Sequence, residues 1–120
     1  MHNEQSTWKE NLPIYRQITD ILIARIIDGV YAEDALLPSV RQIAEEFDVS
    51  NLTGAKVMQE MDLEGLTVKR RGVGSKVRPG ARQDLLAQEQ KKFQLHEWPE
   101  LVARLNRLEI DVAALLKSLI

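Results

Sequence analysis

Residues 37–50 read LPSVRQIAEEFDVS, and the reading of this stretch decides the fold. Pro38 cannot continue a helix arriving from upstream, so a new helix must begin behind it. Ser39 supplies an N-cap, and Gln42, three positions on, completes a capping box. Val40, Ile43, Ala44 and Phe47 then form the inner face of a short helix. In the link Phe47-Asp48-Val49-Ser50, Asp48 tolerates a left-handed or turn conformation, Val49 plugs the angle between helices, and Ser50 caps a second helix. That helix is expected from about Asn51 to Glu64, with Leu52, Val57, Met58, Met61 and Leu63 as its loosely spaced apolar positions and Gly65 as its stop. Two helices joined by so short a link make a helix-turn-helix.

Upstream, Pro13 fits the first turn of a helix in which Ile14, Ile18, Ile21, Leu22 and Ile26 recur at helical spacing, and Gly29 ends it. The segment VYAEDALLPS has no sustained period and reads as an ordered connector. Downstream, Leu66–Arg70 and Ser75–Arg78 are short and β-prone and flank Arg71-Gly72-Val73-Gly74, which predicts a hairpin, or wing, packed on the helices. Pro79-Gly80 marks a boundary. Residues 81–95 carry Leu85, Leu86, Phe93 and Leu95 in a polar setting and predict an amphipathic helix. Pro99 opens a final helix in which Leu101, Leu105, Leu108, Val112, Leu115 and Leu119 alternate spacings of four and three, the seam of a heptad pattern. Val102, Ile110, Ala113, Leu116 and Ile120 widen that stripe.

The expected fold is therefore mostly α with a small β-hairpin: a winged helix-turn-helix followed by two C-terminal helices. Its expected parts are a flexible N-terminus over 1–12, a winged domain over 13–78 and a helical dimerisation region over 79–120. The seam motivates the dimer, because a lone helix would expose its stripe to water.

Composition narrows the function. The 120 residues are 44% hydrophobic, as in a globular chain, and contain no cysteine, which excludes disulfides, thiolate metal sites and cysteine nucleophiles. The histidines, His2 and His96, are far apart, so neither a metal nor another cofactor is expected. MHNEQSTWKE lacks the basic and apolar regions of a signal peptide, and no stretch is long enough to span a bilayer, so a cytoplasmic protein is expected. No carboxylate is paired with a nucleophile, a phosphate loop or a metal cluster, and the chain is not expected to be an enzyme. The net charge of -2 hides a local excess: Lys69, Arg70, Arg71, Lys76, Arg78 and Arg82 make six cations without an acidic residue among them.

A helix-turn-helix places its second helix in the major groove of duplex DNA. The candidates at the start of that helix are Ser50, Asn51 and Thr53 for phosphates or a base and Lys56 for charge, with Arg41 reaching in from the flank. In the wing, Arg70, Arg71 and Lys76 are candidates for phosphate or minor-groove contact, and Gly72 permits a close backbone approach. Ser50 equally serves as a plain cap and Arg41 as a partner for Glu45; the joint arrangement favours DNA.

With PIYRQI in the first helix, LPSVRQIAEEFDVS through the turn and LEGLTVKRRGVGSKV into the wing, the chain resembles the GntR family of bacterial transcriptional regulators over roughly residues 12–78. The resemblance implies a homodimer on a palindromic double-stranded DNA operator, usually as a repressor, with contacts at Arg41, Ser50, Asn51, Thr53, Arg71 and Gly72. The short tail after Pro79 resembles the YtrA-like branch, in which two C-terminal helices dimerise. Asn51, Gly54 and Asp48 depart from the family, where Arg, a β-branched residue and Gly are common at these positions. The tail carries no pattern that identifies a small-molecule effector. The alternative is a protein-interaction module whose C-terminal helices are its working surface and whose DNA affinity is weak or lost.

Overall fold

Apolar residues four apart build the first helix, α1 (Ile14–Ile27), in the computed structural model, which describes residues 8–120. Ile18, Leu22 and Ile26 are fully buried on one face, whereas Ile14 is exposed. The expected flexible segment 1–12 falls outside the described residues as far as residue 7. From there, Trp8 packs 6.3 Å from the ring of Phe47, and Lys9 and Gln17 exchange hydrogen bonds of 2.9 and 2.8 Å.

The helix α2 (Val40–Phe47) starts at the expected capping box: the Gln42 amide N–H donates to Ser39 Oγ at 3.1 Å, and the Ser39 N–H donates to Gln42 Oε1 at 2.8 Å. Asp48 ends it in the left-handed region at φ 53°. Ser50 caps α3 (Asn51–Leu63). α1 and α3 stop as the sequence predicts, at Gly29 and Gly65. In each case the glycine N–H and the N–H after it turn back onto carbonyls three and five residues earlier, which satisfies the last turn.

The buried face of α3 differs from the expected one. Gly54, Val57, Met58 and Met61 are inside, while Leu52 and Leu63 are 81% and 73% exposed. Successive residues turn by about 100°, so a face centred on Gly54, Val57 and Met61 puts Leu52 and Leu63 on the opposite side. Gly54 faces α2 at close range: a Cβ built on it would lie 2.8 Å from the backbone oxygen of Val40. Ile43 and Phe47 of α2 complete the core with Ile18, Leu22, Val57 and Met61, each such burial stabilising by about 1.5–3 kcal/mol. At the rim, Arg16 of α1 bridges Asp20 to Glu60 of α3 and to Glu64, the C-cap that follows it.

The wing is an antiparallel pair, β1 (Thr67–Arg70) and β2 (Gly74–Val77), in register from Thr67 opposite Val77 to Arg70 opposite Gly74. The connector before α2 does more than link. Its Leu36 bridges to Lys76, and Asp34, Ala35 and Leu37 exchange backbone hydrogen bonds with Val77 and Ser75. This third, irregular strand covers one edge of the hairpin, which a two-stranded sheet needs for stability.

Contacts divide the chain into two units, 1–84 and 85–120. The boundary falls inside α4 (Ala81–Lys92). The second unit departs from expectation in two ways. No break separates the helix ending near residue 95 from the one starting at Pro99: a π-helical turn, Phe93–Glu97, leads directly into α5 (Trp98–Arg107). Its widened turn, closed by the Trp98 N–H donating to the Phe93 carbonyl, precedes a proline that an undistorted helix would not accept. The expected single helix through Leu119 is instead interrupted. α5 ends in a reversed turn with Glu109 left-handed at φ 53°, the Ile110 N–H donating to the Leu105 carbonyl at 3.0 Å. Asp111 then caps the short α6 (Val112–Lys117), so the heptad seam runs over two helices rather than one.

The geometry at Gly54 reverses the usual effect of glycine in a helix. Gly54→Ala gains about 1 kcal/mol of helix propensity but drives a methyl into the α2 backbone, an overpacking that costs about 1–3 kcal/mol. Chemical denaturation is expected to show a less stable protein; a more stable one would refute the close-approach account.

Candidate nucleic-acid interface

The start of α3 is built from small polar side chains over unpaired backbone donors. Ser50 Oγ accepts from the Thr53 N–H at 3.1 Å and lies 3.1 Å from Thr53 Oγ1. Both hydroxyls thus hold the first turn and keep spare hydrogen-bonding capacity, while the N-terminal end of the helix dipole favours an anion such as a phosphate. Asn51 is exposed beside them. Arg41, Asp48, Ser50 and Asn51 line one shallow depression between α2 and α3.

Arg41 carries its ordinary alternative: Nε donates to Glu45 Oε1 at 3.0 Å, with both side chains mostly in solvent. A pair of this kind is worth about 0.2–0.5 kcal/mol, little enough to be given up for a phosphate. Lys56 is also engaged, its Nζ lying 4.4 Å from the centre of the Tyr15 ring. Thr53 and Lys56 share a second depression with Ile14, Tyr15 and Leu52. Leu52 and Ile14 have the spacing of core residues, and nothing in the sequence marks Tyr15 as part of this surface. Projecting residues 51–63 around a helix would have found Leu52, because Gly54 and Met61 lie across from it.

In the wing the register separates the cations. Arg70 and Lys76 lie on one face with Val68, whereas Lys69 turns to the other face, toward Met58 and Asp62. Arg71 and Gly72 form the tip, where Gly72 has φ 77°. The remaining two cations of the basic run are structural. Arg78 donates to the Gly65 carbonyl at 2.6 Å and pairs with Asp84 at 2.6 Å, and Arg82 donates to the Ile27 carbonyl at 2.8 Å. Among the described residues, Arg70, Arg71 and Lys76 form no ion pair.

The six seam positions lie in the second unit. Leu105 is half-buried there, whereas Leu101, Leu108, Val112, Leu115 and Leu119 are exposed. Among the described residues no helix is long and apolar enough to cross a membrane.

Comparison with known proteins agrees with this geometry. Over 64 residues the chain is 36% identical to the HTH-type transcriptional repressor NagR of Bacillus subtilis (strain 168), covering 53% of this chain and 26% of that one. It spans less than a third of the length of the curated relatives it matches. A GntR family transcriptional regulator from Listeria monocytogenes has the same fold, with a TM-score of 0.73 at 22% identity over 92% of this chain and 98% of that chain. AraR(DBD), solved in complex with operator ORX1, gives a TM-score of 0.52 at 27% identity, over 55% of this chain and 80% of that chain. The sequence model of the bacterial regulatory proteins of the gntR family matches residues 14–77, more than half the chain, and places this protein in that family.

Proposed function

We propose that this regulator acts as a cytoplasmic transcriptional repressor, binding as a homodimer to an operator with two related half-sites. Residues 13–78 are the DNA-binding domain and 79–120 the dimerisation region, the arrangement of the YtrA-like branch. One observation carries the reading: of the six cations from Lys69 to Arg82, Arg78 and Arg82 are tied to the protein, while among the described residues Lys69, Arg70, Arg71 and Lys76 have no ion-pair partner, and Arg70, Arg71 and Lys76 lie together on one face and at the tip of the wing. Clustered unpaired cations on an exposed hairpin match a polyanion. The α3 start supplies the base-reading part, with Ser50 and Thr53 on phosphates, Asn51 at a base edge or phosphate, Lys56 and Arg41 adding charge, and Gly72 letting the wing backbone approach closely. The operator complex of AraR(DBD) and the repressor function named for NagR support DNA binding and repression by analogy.

A second reading, a protein-interaction module without DNA function, draws on Glu45 and Asp48 lining the same depression as Asn51. Gel-shift titration against the chain's own promoter region at two salt concentrations separates the two. Specific retention with steep salt dependence is expected, and no retention at low salt would sink the DNA-binding reading. Arg71→Ala should weaken binding to all sequences alike and reduce the slope of log K against log salt by about one. An unchanged slope would remove Arg71 from the interface.

The second unit generates the dimer prediction. Sedimentation at micromolar concentration is expected to show a dimer, and Leu101→Glu or Leu115→Glu to shift it to monomer with loss of operator affinity. A wild-type chain that sediments only as a monomer would overturn this part.

A further inference from the structure

Leu52 is a large apolar side chain, 81% exposed, at the second position of α3 between Asn51 and Thr53. Single exposed leucines are common on protein surfaces and by themselves mean little. This one occupies the helix turn that enters the groove when a helix-turn-helix docks, and it points directly away from the buried face formed by Gly54, Val57 and Met61. Beside it Ile14 is 42% exposed, so the two give this edge of the surface an apolar character among polar neighbours.

An apolar side chain pressed onto the polar edge of a base pair would leave base donors and acceptors dehydrated and unpaired. The thymine edge offers a suitable partner in the 5-methyl group, which projects into the major groove. We propose that Leu52 is a specificity-determining residue that packs on the 5-methyl group of a thymine in each half-site. The inference rests on the DNA-binding reading above. It assigns an outward-facing position near the start of the recognition helix to apolar readout, beside hydrogen bonding by Asn51.

Selection of binding sites from random duplex DNA, with the full chain and with Leu52→Ala, provides the test. The wild type is expected to select thymine at a position in each half-site where the variant shows no preference, and Leu52→Met is expected to keep the preference. Replacing that thymine by deoxyuridine removes only the methyl group and should weaken wild-type binding by about fourfold per thymine, the loss expected for one buried methyl. Binding by Leu52→Ala should not respond. Circular dichroism checks that the variant is folded. A wild type indifferent to deoxyuridine at every thymine of its site, or a variant that loses as much as the wild type, overturns the assignment while leaving DNA binding intact. Selection of no sequence at all overturns the DNA-binding reading and this inference with it. If Leu52→Ala changes the sedimentation of the free chain, Leu52 belongs to a contact between copies, and the inference falls.

Discussion

The close approach of α3 to the α2 backbone at Gly54 is the constraint on which the rest of the first unit depends. With no side chain at this crossing, the recognition helix packs directly against Val40, and the position of one residue on a helix fixes the direction of all the others. Once Gly54 faces inward, Val57, Met58 and Met61 must fill the core and Leu52 and Lys56 must look outward, while Asn51 is exposed by its place at the helix start. The wing depends on the same choice. Met58 and Asp62 on the flank of α3 line one depression together with Lys69, Val73 and Gly74 of the hairpin. The short reach of Ser39 and Ser50 at the two caps then fixes both helix starts.

Charge is divided between structure and surface by the same geometry. A count of cations from Lys69 to Arg82 treats them as one basic patch, yet Arg78 and Arg82 staple the ends of α3 and α1 to the start of α4 through backbone carbonyls. Arg16 and Arg25 tie elements together at the rim of the core through carboxylates instead. Arg25 lies 5.5 Å from the centre of the Phe47 ring and pairs with Glu46, whose hydrogen bonds raise the arginine's pKa above its ordinary value against the opposing effect of burial. Such cations cannot leave their partners without cost. Among the described residues, Arg70, Arg71 and Lys76 on the wing have no such ion pairs, and Arg41 has only a weak solvent-exposed one.

Legibility in the sequence tracked how local the deciding physics was. Capping boxes, helix stops and hairpin residues act within a few positions, so Ser39 with Gln42, Gly29, Gly65 and the wing could be read directly, as could the left-handed turn at Asp48. The pairing of Leu36 with Lys76 is a tertiary contact with no periodic trace. Leu52 was misplaced because an apolar residue next to a helix start resembles a core position until the glycine two residues on is recognised as the buried one. The break at Leu108–Asp111 was hidden for a different reason. The leucine spacing continues across it, and the left-handed residue is Glu109, where glycine would have signalled a stop. Among the candidate contacts, residue type alone marks Arg78 as readily as Arg71, and only the fold separates a cation held by Gly65 and Asp84 from one without an ion pair among the described residues.

The interrupted seam bears on how such a chain can achieve specificity. A continuous coiled coil would present one narrow stripe, whereas here the exposed apolar residues are divided, with Leu101 on α5, Leu108 at its end, and Val112, Leu115 and Leu116 on α6 beyond a reversed turn. The recognition helix, for its part, holds only Lys56 as a cation and flanks it with the acidic Glu60 and Asp62. One such unit makes few strong base contacts, and its phosphate contacts weaken with salt. On the proposed reading, linking two units converts the second binding event into an intramolecular one. The gain comes from effective concentration rather than from new contacts. On that reading the low basicity at α3 would limit binding of a single unit to arbitrary DNA, and pairing would restore affinity only where two half-sites are correctly spaced.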